Sequence, residues 1–263
     1  MSNVQTPIDT SSWSPAEKRI FELKSNSAVT YSYGTIQQLR FEMAMRASTV
    51  AAAEALSQSG LQFATFSEAK CNELYWNLTE SGGFRIRSDT TPAAGIRDIF
   101  TNGRKYATEC ATATLIVIYK AVLDSINEAV FNSLYSDLLL YDWHPDDHLP
   151  LIGRTGIHNS YPGDLLYFKN PDFNPETPEW RGENVIKIDD NLYYGHPFGI
   201  VTAERIISGL NRNRRPGSFR SAYLTDDIIT PDYLYLSQFA PDMRTNIFAR
   251  IGVQYFVVPL PKS

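Results

Sequence analysis

The 263 residues include only two cysteines, Cys71 and Cys110, so no disulfide framework holds this chain together. Long hydrophobic runs are missing as well. The longest apolar stretch, Ala111 to Tyr119 with its threonines, falls far short of the ~20 residues a membrane-spanning helix needs. Positive charge is in deficit, with 24 Lys and Arg against 29 Asp and Glu and a formal net charge of −5. That balance argues against nucleic acid as a partner. One basic cluster, Arg212, Arg214 and Arg215 beside Pro216 and Gly217, reads as a solvated loop after a helix or as a docking point for an anionic surface. The N-terminal MSNVQTPIDTSSW lacks the positive start and apolar run of a signal peptide. The expectation is synthesis in the cytoplasm with reduced thiols and no membrane partner. No phosphate-binding glycine loop, dinucleotide fingerprint, internal repeat or low-complexity tract is present, and no cofactor is expected.

What is present is the composition of a soluble globular chain: 43% apolar, 20% charged and 13% aromatic. Aromatics at that level suit several strands, an aromatic-lined groove, or simply a well-packed core. Residues 1–13 are polar and expected to be flexible. Ser14-Pro15-Ala16-Glu17 combines a capping box with proline at the first helical position, so a helix starts there. Ile36, Leu39, Met43, Ala47 and Val50 recur at three- and four-residue steps. This predicts an amphipathic helix over 35–59, ended by Gly60.

Leu61 to Phe66 reads as a strand, and the runs 74–78 and 84–87 flank Glu80-Ser81-Gly82-Gly83, a hairpin signal. Helices are expected over 91–100, from Cys110 through Leu123, and over 127–138. The Cys110 helix is apolar nearly all round, which makes it central and buried. Runs at 164–168, 184–188 and 192–201 read as antiparallel strands. Thr202 then caps a helix through Leu210, and 253–260 reads as a last strand. Helices mostly first and strands mostly later give an α+β fold, taken as one domain over 1–263.

Cys110 heads the most apolar helix, where backbone N–H groups and the positive dipole end would lower a thiol pKa and make a nucleophile. Free cysteine also packs as a small buried hydrophobe, and position alone leaves both readings open. Glu109 beside it would raise the thiol pKa unless it takes the thiol proton. Among four histidines, His196 lies in Tyr193-Tyr194-Gly195-His196-Pro197-Phe198. By strand alternation it shares a face with Tyr194 and Phe198, either to orient a reacting group or to pack. Glu183 opens a strand just after Trp180-Arg181-Gly182, where it pairs with Arg181, faces solvent, or does chemistry. His144 and His148 bracket Pro145-Asp146-Asp147 in a loop with no third ligand at a recognisable spacing, so no metal site is expected.

Local strings then accumulate. Val50-Ala51-Ala52-Ala53, Phe63-Ala64-Thr65-Phe66, Ala94-Gly95-Ile96-Arg97-Asp98-Ile99, Glu109-Cys110-Ala111-Thr112-Ala113, Leu140-Tyr141-Asp142-Trp143-His144, Leu166-Tyr167-Phe168-Lys169-Asn170-Pro171, Trp180-Arg181-Gly182-Glu183-Asn184-Val185-Ile186 and Ser221-Ala222-Tyr223-Leu224 resemble, in order and spacing, the spore-coat transglutaminases of Bacillus-type bacteria. The resemblance spans roughly residues 35 to 225. The first 30 residues and the segment after about Asp226 depart from it.

The resemblance implies a papain-like core of the cell-wall endopeptidase type, with the nucleophile helix packed on a small antiparallel sheet. It implies Cys110 as nucleophile, Glu183 as principal acid and base with Glu109 able to substitute in part, and His196 as the active-site histidine. Phe63 and Trp180 match aromatic positions of an apolar tunnel around the thiol. Tyr194 and Phe198 are expected beside them at the substrate. The implied reaction is acyl transfer from a protein glutamine to a lysine amine through a thioester. The implied partners are glutamine- and lysine-bearing proteins, spore coat proteins among them, at the spore coat surface. No calcium requirement is expected. The rival readings are a papain-like peptidase or amidase with water as acceptor, and an inactive structural coat protein.

Overall fold

The computed structural model describes residues 8–241 together with the backbone of 246–251 and 254–259. Local chemistry sets the first elements. Ser14 and Glu17 exchange hydrogen bonds at the start of α1 (Pro15–Ser25), with Pro15 inside the first turn. Thr35 and Gln38 form a second capping box on α2 (Ile36–Gln58). Gly60, at φ 87°, ends the helix in the left-handed region. Of the N-terminal segment expected to be flexible, residues 1–7 lie outside the described residues. Trp13 is buried, against the edge of Phe21.

β1 (Gln62–Phe63) is two residues long rather than the six expected, because the chain turns into a short 3₁₀ segment at Phe66–Glu68. β2 (Trp76–Leu78) and β3 (Phe84–Ile86) form the anticipated hairpin, followed by α3 (Pro92–Thr101). β4 (Ala107–Thr108) runs parallel to β1 and leads into α4 (Cys110–Ser125). α4 is buried nearly all round, as its sequence requires. α5 (Glu128–Leu134) stops short of the expected 138, since β5 (Leu139–Leu140) is drawn into pairing with β3.

The second half builds one antiparallel sheet. Its strands are β6 (Leu151–Thr155), β7 (Leu165–Lys169), β8 (Gly182–Asp189), β9 (Leu192–Gly195), β10 (Gly199–Val201) and, after α6 (Ala203–Arg212), β11 (Tyr223–Pro231). The spatial order is β10-β9-β8-β7-β11-β6. α7 (Tyr233–Ser237) follows, and β12 (Asn246–Ile251) pairs with β13 (Gln254–Pro259) as a separate hairpin. Of the last strand expected over 253–260, Val253 and Leu260 lie outside the described residues. The run 192–201 is not one strand. It folds back at a cis His196–Pro197 bond, so Gly199 pairs with Gly195 and side-chain alternation does not carry through His196.

The architecture is α+β. α2 and α4 pack together and lie against β8, and the main core fills the space between helices and sheet, including Leu115, Ile116, Ile118, Leu165, Ile186 and Tyr194. α6 covers a second core of Leu166, Phe168, Val185, Ile206, Leu210 and Ile228. α2 buries more than its expected face. Leu39 and Met43 meet α1, while Met45, Ala52, Ala53 and Leu56 join the main core.

One buried ion network ties the helices to the sheet. Glu42 accepts from Lys24 of α1, from Arg46 Nε at 2.8 Å and from the Tyr33 hydroxyl at 2.7 Å. Arg46 also reaches Asp164 at 2.8 Å, and Asp164 holds Arg154 at 2.9 Å. Burial alone would raise the Glu42 pKa, but Arg46 and Lys24 outweigh it and bring the carboxyl down to about 2.

Glu42 therefore stabilises the fold above its unfolded pKa, and that contribution of about 3 kcal/mol is lost as pH falls from 4.5 toward 2. Glu42→Gln strands Lys24 and Arg46 and is expected to cost about 3–5 kcal/mol at neutral pH. In urea unfolding the gap between wild type and variant should narrow at pH 3. A gap that stays constant with pH would show that the charge is not what stabilises.

Candidate active site

β4 delivers the chain in extended form to Glu109, which caps α4 with φ −88° and ψ 177°. The Glu109 carboxylate accepts the Ala111 amide at 2.5 Å and the Thr112 amide at 2.7 Å. Cys110 is therefore the first residue of the helix, but the helix start already holds an anion. The thiol pKa, expected to be lowered by the helix, is instead raised well above 9.0. The cause is first burial, then the Glu183 and Glu109 carboxylates, with hydrogen bonds from Asn184 opposing them. The Ala111 and Thr112 amides at the helix start are committed to Glu109.

Glu183 is 2% exposed near the start of β8. It neither pairs with Arg181 nor meets solvent. Among the described residues its Oε1 has no hydrogen-bond partner, and the His196 backbone amide works to lower its pKa. Burial comes first, with Glu109 adding to it, in pushing this carboxyl well above its ordinary range. Gly195, opposite Val185 on β9, leaves room for it. A Cβ at Gly195 would come within 2.9 Å of Oε1.

His196 is buried, and its Nε2 lies 3.1 Å from the Gln62 carbonyl oxygen of β1. Burial lowers its pKa, with the carbonyls of Gln62 and Thr108 opposing, so the ring is neutral at neutral pH. No hydrogen bond joins it to Cys110 among the described residues. Its ring braces β1, and its amide contacts Glu183.

Phe63 on β1 stacks on Trp180 at 5.9 Å and tilts against His196 at 5.8 Å. It lines a cavity of about 450 Å³ together with Cys110, Phe66, Trp143, Tyr167 and Asn184, while Glu109, Asp142, Glu179 and Arg181 make a charged side. Phe198 packs edge-on against Trp180 at 6.0 Å, and Tyr194 is buried in the main core with its hydroxyl unpartnered among the described residues. Neither lines this cavity. His144 stacks on Tyr141, and the His148 ring contacts Asp146 at 2.9 Å, so the loop histidines do not face a common point. Arg214 and Arg215 are tied into the loop after α6 by backbone oxygens and by Asp172.

Sequence reasoning missed Asn184, Tyr167 and Asp142. Asn184 Nδ2 donates toward Cys110 Sγ at 3.5 Å. Tyr167 faces it across β7–β8. Asp142, at φ 44°, donates its amide to the Thr112 hydroxyl at 2.8 Å. Only strand register could have placed the first two. The third carried a weak local signal, since aspartate tolerates positive φ better than most residues.

Burial raises both pKa values, and the Glu183 charge raises that of the thiol further, so the two titrations are linked. Iodoacetamide alkylation of Cys110 should rise with pH in two steps in the wild type. In Glu183→Gln it should rise in a single step lying below the upper one. Identical curves would show that the two groups do not interact.

The family model described as protein-glutamine gamma-glutamyltransferase matches residues 1–240, beyond both ends of the stretch that resembled a family by local strings. The chain is 44% identical over 238 residues to a protein-glutamine gamma-glutamyltransferase of Bacillus mycoides, covering 89% of this chain and 86% of the relative. A Bacillus cereus protein of the same description is 44% identical over 237 residues, covering 89% of this chain and 86% of that relative. Among solved structures, a transglutaminase from Geobacillus stearothermophilus without its C-terminal extension matches with a TM-score of 0.75 and 50% identity, covering 78% of this chain and 98% of that one.

Proposed function

The chain belongs to the protein-glutamine gamma-glutamyltransferase family, and from that premise we propose that Cys110 is its nucleophile and Glu183 its acid and base. The observation that carries this reading is the buried carboxyl of Glu183, without an ion-pair partner among the described residues, acting on the Cys110 thiol that lines the cavity. A carboxyl with a raised pKa can take a thiol proton and return it.

The Cys110 proton passes to Glu183, and Sγ adds to the carboxamide carbon of a protein glutamine. Glu183 returns the proton to the amide nitrogen, the C–N bond breaks and ammonia leaves. A lysine amine then adds to the thioester and gives its proton to Glu183. The C–S bond breaks, and the thiol reforms beside an isopeptide product.

Glu109 serves chiefly as the cap of α4, and in a Glu183 variant it remains a carboxylate that acts on the thiol. Phe63 and Trp180 shield the thioester from water, in keeping with the tunnel implied by resemblance, so that the amine competes with hydrolysis. Tyr194 and Phe198 support this shell from behind Glu183 and Trp180. His196 holds β1 and its Phe63 in place.

A helix bearing the nucleophile, packed on an antiparallel sheet bearing its partner, supports a papain-like core. Helical and sheet halves each supply one member of the pair, which supports a single catalytic domain over 1–263. The spore coat surface is the proposed site of action, with coat proteins as substrates. That placement rests on the likeness to Bacillus-type coat enzymes.

Incorporation of a labelled primary amine into a glutamine peptide should vanish in Cys110→Ala. It should fall about 10²–10⁴-fold in Glu183→Gln, and less in Glu109→Gln, which should chiefly lose about 1 kcal/mol of stability through the cap. Activity should rise as pH climbs through the raised Glu183 pKa, and that acid limb should be absent in Glu183→Gln. A larger loss in Glu109→Gln would reverse the roles, and ammonia release without amine incorporation would mean hydrolysis. In sporulating cells lacking this chain, coat proteins should lose glutamyl-lysine bonds and become more extractable; unchanged coats would exclude the proposed site of action.

A further inference from the structure

The first two amides that follow Cys110 along α4 are unavailable to a substrate, because Glu109 accepts both. Two other side-chain donors of the site are engaged elsewhere. His196 Nε2 faces the Gln62 carbonyl, and the Tyr167 hydroxyl lies 3.4 Å from the Arg181 carbonyl oxygen. The one side-chain donor aimed at the reacting sulfur among the described residues is the Asn184 amide, with Nδ2 3.5 Å from Sγ.

We propose that Asn184 is a catalytic hydrogen-bond donor, holding the Cys110 thiolate first and then the oxyanion of the tetrahedral intermediate. Nδ2 carries two hydrogens, and among the described residues the sulfur is its only acceptor. When Sγ bonds to the glutamine carbonyl carbon, the carbonyl oxygen lies one bond beyond that carbon. That oxygen comes within reach of a donor already 3.5 Å from sulfur.

As the S–C bond forms, the carbonyl π pair moves onto oxygen. Asn184 steadies that charge without giving up a proton. When the pair returns, the C–N bond breaks and nitrogen leaves as ammonia with the proton from Glu183.

The donor is held rigidly for this role. Asn184 sits on an inner strand opposite Tyr167. The Thr114 hydroxyl lies 2.8 Å from the Cys110 carbonyl oxygen and 3.5 Å from that of Asn184, which links the backbones of nucleophile and donor. Hydrogen bonds from Asn184 are also the influences that lower the thiol pKa against burial.

The inference rests on the thioester reading and is separable from it. Asn184→Ala and the isosteric Asn184→Asp, in the full chain, are compared with wild type on a glutamine dipeptide and a fluorescent alkyl amine. Expected is a fall in kcat of about 10²–10³-fold, with KM within about threefold and alkylation by iodoacetamide moved to higher pH. If Asn184→Ala does not fold, Asn184→Asp, nearly identical in size, decides alone. A folded variant with kcat within about threefold of wild type, a loss carried by KM alone, or an unmoved alkylation curve overturns the proposal. Wild type that gives no Cys110-dependent ammonia release or amine incorporation would instead sink the thioester reading itself.

Discussion

Burying a carboxylate in a protein requires either a cation beside it or a shift of its pKa until the proton stays, and this chain does both in separate places. Glu42 and Asp164 lie under 9% exposed with Lys24, Arg46 and Arg154 against them. Glu42 is therefore charged, and the network locks α1 and α2 onto the sheet. Glu183 is equally buried and has no ion-pair partner among the described residues. Burial raises its pKa, and its charge in turn raises that of the Cys110 thiol. The same physical problem, solved with and without a counter-charge, gives a structural joint in one place and, under the proposed function, a proton-transfer pair in the other.

The start of α4 follows from that arrangement. A helix N-terminus commonly activates a cysteine by stabilising its thiolate, yet here Glu109 occupies the amides that would do so. Under the proposed mechanism Sγ depends on proton transfer to Glu183 and on a side-chain donor from β8. That dependence restrains the thiol when no acyl group is present. It also places the chemistry at the meeting of a helix and a strand held together by Thr114. Aromatic cover from Phe63 over the same point limits water, which matters because hydrolysis competes with amine transfer at a thioester.

Much of the scaffold was legible from local pattern. Capping boxes at Ser14 and Thr35, the all-round apolar run after Cys110, and the glycine turn between β2 and β3 each carry their own signal within a few residues. The misreadings share one cause, which is that pairing partners distant in sequence override local propensity. β6 and β11 were not foreseen because Gly153 and the Thr225–Asp227 stretch dilute their alternation, and each is a strand through pairing. The 192–201 run has strand composition throughout. The reversal at His196–Pro197 is what lets β10 return beside β9.

For the site, the sequence by itself determined the chemical inventory: a thiol at a helix start, a neighbouring carboxylate, a second carboxylate beside a tryptophan, and a histidine among aromatics. These are properties of residue type and short spacing, and similarity to a family singled them out. Which carboxylate caps the helix and which lies buried on β8 was decided by tertiary structure. So was the bracing position of His196 and the aim of Asn184 at the sulfur. Those outcomes depend on burial and strand register, and both are set by residues up to 134 positions apart, as between Gln62 and His196. No local window of the sequence contains them.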